Sequence, residues 1–560
     1  MGRCIRAGAW ALAFSLAAAG QTPAEKCRIE GTVLNAVSGQ PVRKAQVSLT
    51  PATGGEPISG ATDSHGAYAL ANVAPGVYKL QISHDGYLSQ NYGAKRPGGE
   101  AKGDTLELAP GSVKTGIDLQ MTPLGAMMGH IRDEDGDPVR QVEITVLAYG
   151  YGPSGRSLQV RGNSQTDASG EYRIFDLPPG AYYLYAKPTS AQMPAIAQAG
   201  ETYPAAYYPN ATLPSQAAAI DLAAGQEQRG MDFVLHPIAT AFIRGRVIKP
   251  AGGEDCTTAL KPEPDDASPH AASTRGIEVD TRGNVAARSI VWTGSFVIAT
   301  NHAVDRLLDK GETFEFRNVP VGSHTLTATC NVGDQEYSVK MAIELEAPGR
   351  ENLELRPVGP SSVTGQIRIE GDLDRKLSET QVSLDALRGP TFWDPHNQTA
   401  GDGQFSFLLP PDVYHINIGA PSELYVKSVT ESGRDVRDSG LDLTAGEMSV
   451  ELQVVLSANG GSIEGSVENG EGAHVTLVPS DPQRARTLSR TAIAGPDGHF
   501  AFSTVPPGRY KLFAWEEVDD NAAMYDAEFR KPFEGKGQTV DVTEKQKTTA
   551  QLQMIPKTEK

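Results

Sequence analysis

Residues Thr62 to Leu80 read T-D-S-H-G-A-Y-A-L-A-N-V-A-P-G-V-Y-K-L. Asp63 and Gly66 bound a tight turn, and Tyr68 and Leu70 alternate outward from it as a half-buried strand does. Pro75-Gly76 makes a second turn, from which Val77, Tyr78 and Leu80 open the next strand. This turn–strand–turn–strand unit returns four more times, at Thr166–Leu184, Asp309–Leu326, Thr399–Ile416 and Ala494–Leu512. Matching glycines and aromatics in five copies make the internal repeat the strongest signal in the chain. A period near ~100 residues is too long for a solenoid unit and suits five separate domains in series.

Each copy is preceded by a short strand with a central glycine: Gly31, Gly129, Gly245, Gly365 and Gly465. A glycine inside a strand costs stability, so it marks a bulge or a close approach by a neighbouring strand or ring. Alternating strands such as Ile117–Met121, Met231–Leu235 and Ala550–Met554 close the repeats. The reading is all-β, about seven short strands per domain. The expected boundaries are 27–122, 126–237, 241–357, 361–457 and 461–556, behind a segment 1–20. Short proline-bearing linkers, Thr122–Gly125 and Pro357–Pro360, predict a semi-rigid rod.

The 560 residues carry 59 Gly and 38 Pro, which leans toward a turn-rich β protein, and 39% hydrophobic content allows packed cores. A net charge of -18 argues against nucleic acid and anionic lipid as partners. Arg3 and Arg6 ahead of the short apolar run Ala7–Ala19, with Ala18-Ala19-Gly20 after it, predict a signal peptide cleaved before Gln21. Cys4 precedes that run, which speaks against a lipid anchor, and no second apolar stretch is of membrane length. Export permits oxidation, so Cys256 and Cys330, in one expected domain, are candidates for a disulfide, with Cys27 left over.

The pattern G-x-V, then G-x-P-V before A-x-V-x-L, then D-x-x-G-x-Y/F, then P-G-x-Y-x-L resembles the carboxypeptidase regulatory-like domain. The first, second and fifth copies match it best. The fourth has Asp412 where the second glycine is expected. The third matches only in its later half, and its irregular segment Cys256–Arg288 leaves its early strands open. The resemblance implies transthyretin-like or immunoglobulin-like sandwiches, grouped with carbohydrate-binding-like and Cna-B-type folds. It is similar to secreted bacterial proteins with tandem copies. It implies no peptidase activity, because the family takes its name from an accessory domain.

The residues offer little catalytic chemistry. None of the eleven His has Glu three residues on; His302 has Asp305 at that spacing, without further ligands. There is no H-E-x-x-H, no G-x-S-x-G elbow, no P-loop and no dinucleotide fingerprint. No cofactor is expected. Asp133, Asp135 and Asp137 form a D-x-D-x-D run that is either a weak calcium candidate or simply the turn of a hairpin.

Aromatics clustered after the P-G-x-Y strand are the leading binding candidates: Tyr203, Tyr207 and Tyr208 in the second domain, Tyr92 in the first, Trp515, Tyr525 and Phe529 in the fifth. Such rings stack on sugars or anchor protein interfaces, and they also cover cores. The expectation is a non-catalytic extracytoplasmic binding or scaffold protein of the bacterial envelope, with carbohydrate as the ligand class the resemblance implies. A purely structural stalk or protein–protein adaptor is the alternative, and an accessory chain to a peptidase the second.

Overall fold

The computed structural model describes residues 25–94, 103–152, 155–188, 200–262, 277–279, 285–287, 306–307, 313–371, 377, 380–386, 397–398 and 402–557. The expected signal segment lies outside these. The described residues group into two compact units. One holds those up to 126 with 175–180 and 222–228; the other holds 127–174, 181–221 and those from 229 onward.

The chain is all-β, a series of two-sheet sandwiches. In the first, strand Cys27–Asn35 runs antiparallel to Ala67–Val73 and parallel to Val113–Lys114 and Leu119–Met121. The facing sheet centres on Gln46–Pro51, flanked by Ile58–Ala61 and Gly76–Ser83. Alternation does the rest: Ile29 and Val33 from one sheet meet Val47, Leu49, Leu80 and Ile82 from the other. The sheet carrying the proline-led strand recurs, centred on Glu143–Gly152 in the second sandwich and His474–Pro479 in the fifth.

The sequence motif works as hardware. Asp63 Oδ1 accepts from the backbone N–H of His65 and Ala67, and Asp167 Oδ1 does the same for Ser169 and Glu171. The preceding threonine ties that turn to the neighbouring strand. Thr62 Oγ1 accepts from Ala45 N and donates to Val42 O, and Thr166 repeats both bonds with Val142 and Val139. After the proline turn, the hydroxyls of Tyr78, Tyr414 and Tyr510 donate to the carbonyls of Ala74, Pro410 and Pro506 at 2.9, 2.8 and 2.9 Å. Each thereby satisfies a carbonyl at the corner where the chain reverses.

The strand glycines are close-approach sites, as expected. A Cβ on Gly31 would lie 1.9 Å from Ile117 O, and one on Gly465 would lie 2.2 Å from Ala550 O and 2.6 Å from the Phe500 ring. The space a side chain would take is filled by the closing strand and the motif aromatic; Tyr68, beside Gly31, donates its hydroxyl to that same Ile117 carbonyl at 2.8 Å.

A bulge that the sequence reading missed precedes the proline turn. In the first, third and fifth sandwiches the pairing slips between Cys27 and Ile29, Ala241 and Ile243, and Gly461 and Ile463. Opposite each slip stands a residue with positive φ: Asn72 (60°), Asn318 (55°) and Thr504 (53°). Asn tolerates this left-handed region and a β-branched residue does not, so Thr504 is held there by its surroundings. In the fourth sandwich Leu408 stands at this place, and the pairing Ser361–Gln366 with Gln404–Leu409 runs without a slip.

The third sandwich supplies the strands its sequence left open. Glu254–Pro262 pairs with Gly322–Val332, which pairs in turn with Gln335–Leu345. Cys256 and Cys330 sit on the first two of these and form a disulfide, with Sγ atoms 2.00 Å apart. Cys27 is a buried free thiol whose Sγ–H points at Ala109 O.

Candidate functional site

Of the aromatic candidates, Tyr207, Trp515 and Phe529 lie over the outer face of the proline-strand sheet. In the second sandwich, strand Glu143–Gly152 turns Ile144 and Val146 inward, and its alternation puts Leu147 on the outside. There Leu147, Leu158, Tyr185 and Tyr207 form a small separate core. Ala206–Tyr207 pairs antiparallel with the sheet, which sets the Tyr207 ring 4.8 Å from that of Tyr185. Tyr208 meets Phe233 edge to face at 5.7 Å.

Tyr203 is buried beside the acidic turn. Burial pushes its phenol up to about 12, and the carboxylates of Asp133, Glu134, Asp135 and Glu201 add to the rise. The structure thus brings Tyr203 and the D-x-D-x-D run together. The run itself is a turn: Asp133 Oδ1 accepts from the backbone N–H of Asp135 and Asp137. Asn35 does the same for Val37 and Ser38 in the first sandwich. Among the described residues no three His, Cys, Asp or Glu side chains converge to hold a metal. The Asp133, Asp135 and Asp137 run is thus a hairpin turn, the second of the two readings its sequence allows, with its first carboxylate accepting from backbone donors.

The fifth sandwich covers the same outer face with short helices. Asp519 and Asp526 accept from backbone N–H groups at the starts of Asp520–Tyr525 and Ala527–Arg530, which fixes both. Trp515 is 2% exposed, stacked on Phe513 at 5.7 Å and met edge-on by Phe533 at 5.0 Å, with Phe529 at 5.7 Å. Its Nε1 finds no hydrogen-bond partner, and Tyr525 is half-buried, its phenol raised by burial. In the first sandwich Tyr92 and Tyr87 are half-buried against the core, and Tyr87 Oη accepts from Asn35 Nδ2. Tyr203 is buried beside the acidic turn, and Tyr207 and Trp515 are buried in these outer clusters. The apolar outer side of the sheet needed covering, and they cover it.

The fourth sandwich treats this face differently. Its outward positions are polar: Ser383, Asp385, His415 and Asn417. Asn417 Nδ2 donates to Asp385, and Arg486 of the fifth sandwich stands 3.9 Å from the same carboxylate. The segment after its proline strand goes elsewhere, pairing as Tyr425–Glu431 with Ser449–Ser457 in the other sheet.

Sequence reasoning missed the residues that join successive sandwiches. Asp412, noted only as a departure from glycine, is buried and pairs with Lys340 of the third sandwich. Ser338 and Val358 exchange backbone hydrogen bonds at the same junction. Lys427 of the fourth sandwich bridges Glu370 at 2.7 Å and Glu544 of the fifth at 3.3 Å. The signal for the first of these was in the sequence, in the broken motif. His302 and Asp305 lie outside the described residues.

These features define a series of β-sandwiches with filled cores. The first of them, residues 28–122, matches the carboxypeptidase regulatory-like domain. No curated protein matches the chain. Among solved structures, the chain is similar to the Bacillus anthracis TIE protein at 10% identity, covering 74% of this chain and 69% of that one, with a TM-score of 0.16. It is also similar to GBS52, the minor pilin of Streptococcus agalactiae, at 14% identity over 39% of this chain and 97% of that one, TM-score 0.22. A third is BcpA, the major pilin subunit of Bacillus cereus, at 10% identity over 60% and 99%, TM-score 0.15. Overlaps this loose carry no argument about what the chain does. No helix among the described residues is long and apolar enough to cross a membrane.

Proposed function

We propose that the chain is a non-catalytic extracytoplasmic scaffold that holds β-sandwiches in fixed register for a protein partner in the cell envelope. The observation that carries this reading is Asp412. A motif position that favours glycine carries a buried carboxylate here, and that carboxylate binds the neighbouring sandwich through Lys340. A freely jointed string of modules has no use for such a residue, since an unpaired buried carboxylate would be costly.

Sugar binding is the second reading. It rests on Tyr208, whose ring is half-exposed and could stack on a hydroxylated ligand. Cross-linking the exported chain in its envelope, with a glycan array in parallel, separates the two. Capture of one defined envelope protein, with no glycan bound, supports the scaffold. Glycan binding that disappears in Tyr208→Ala replaces it with the second reading, and metal-dependent hydrolysis by the purified chain sinks both.

A further inference from the structure

Helix Asp520–Tyr525 has two neighbours. One is its own sandwich, whose strands His474–Pro479 and Arg490–Ile493 it lies against. The other is the hairpin Glu143–Gly152 and Gly155–Gln165 of the second sandwich, with two whole sandwiches between them along the chain. Its small residues permit both contacts. Ala523 is fully buried within the Trp515 cluster, while Ala522 is 1% exposed without belonging to that cluster.

The electrostatics at the hairpin tip agree. Burial holds the Tyr151 phenol above its usual range; Arg156 opposes this, and the cap carboxylates Asp526 and Asp519 of the fifth sandwich reinforce it. Arg156 itself lies 3.5 Å over the Tyr149 ring, so a cation and two aromatic rings of the second sandwich stand beside two carboxylates of the fifth. This is a complementary pairing of charge.

We propose that helix Asp520–Tyr525 is an intramolecular clasp, seated on the second sandwich's hairpin, that closes sandwiches two to five on themselves. The contact is small, and a free peptide of this sequence would not hold it. Tethering changes that: the junctions at Lys340–Asp412 and Lys427–Glu370/Glu544 present the helix to its seat at a high effective concentration. The semi-rigid rod expected from the linkers does not bring these two sandwiches together, so the inference goes beyond the scaffold reading and stands without it.

Fluorescence energy transfer in the full exported chain tests the clasp, with dyes at Arg140→Cys and Glu528→Cys. The clasp gives one narrow, high-transfer population, lost when Tyr151→Asp and Arg156→Glu place like charges against Asp519 and Asp526. Both substitutions lie on an outward hairpin tip, and an unchanged circular dichroism spectrum checks that the sandwich remains folded. A broad or low-transfer population in the unsubstituted chain overturns the proposal. So does transfer that survives the double substitution in a folded chain, or transfer that appears only as sedimentation shows dimers, which places the helix on a second copy.

Discussion

The fourth and fifth sandwiches share the repeat motif and differ in the segment that comes after it. Both turn on a proline pair, and both lock the corner with a tyrosine hydroxyl, Tyr414 or Tyr510. After that strand the fifth sandwich folds two short helices over an apolar outer face built on Phe513 and Trp515. The fourth leaves Ser383, Asp385, His415 and Asn417 there and sends its next segment to the opposite sheet. The motif thus determines the corner and the core between the sheets. The residues that alternate outward on its strands determine whether a cover is needed.

The comparison can be broken most severely at the cover. Trp515→Ala should cost the fifth sandwich about 3–5 kcal/mol, the usual range for deleting a buried Trp, as read by urea unfolding. His415→Ala on the matching face of the fourth should cost far less. Equal losses would mean that the outer faces are not the distinction drawn here.

Next come the strand glycines. At Gly465 a Cβ would strike the Ala550 carbonyl, which is backbone, whereas at Gly365 the three nearest atoms all belong to the Phe405 ring. Gly465→Ala should destabilise by about 1–3 kcal/mol, as overpacking does. Gly365→Ala should be milder, because a ring can swing aside and a closing strand cannot. A reversed order would show that the Phe405 ring is the stiffer neighbour.

A smaller effect of opposite sign is expected at Thr504, which occupies the left-handed region in the fifth sandwich. Thr504→Asn should stabilise by about 1 kcal/mol, since Asn accepts that backbone more readily. Leu408→Asn in the bulge-free fourth sandwich should bring no such gain in thermal midpoint.

The subtlest expectation concerns pH. Burial depresses the His415 imidazole below its ordinary range; the nearby Arg486 guanidinium adds to this, and Asp385 opposes it. The unfolded chain therefore takes up that proton first. Stability linked to His415 is full above the ordinary histidine range near ~6.5 and falls as pH drops below it. His415→Gln should flatten the thermal midpoint between about pH 7 and 5. An unchanged slope would remove His415 from the account.

Much of this architecture was legible in the sequence because it is local. Asp63, Gly66 and Tyr78 act within a few residues of themselves, and a two-residue alternation states which side of a strand is buried. The strand glycines were legible as close approaches by a strand or a ring, though not which strand or which ring. The bulge left a readable mark in Asn72 and Asn318, residues suited to positive φ, and it went unread. What stayed hidden depends on parts of the chain far away. Trp515 reads equally well as a binding platform or as a cover until the helices that lie on it are placed. Asp412 reads as a damaged motif until Lys340 is found beside it.

The bond between Cys256 and Cys330 joins residues 74 positions apart, and the stretch it brackets can be severed without separating the ends. A protease that cuts once between the two cysteines would leave both pieces on one particle under oxidising conditions. Only a reductant would release them, so a nicked chain would run as two bands on a reducing gel and as one without thiol.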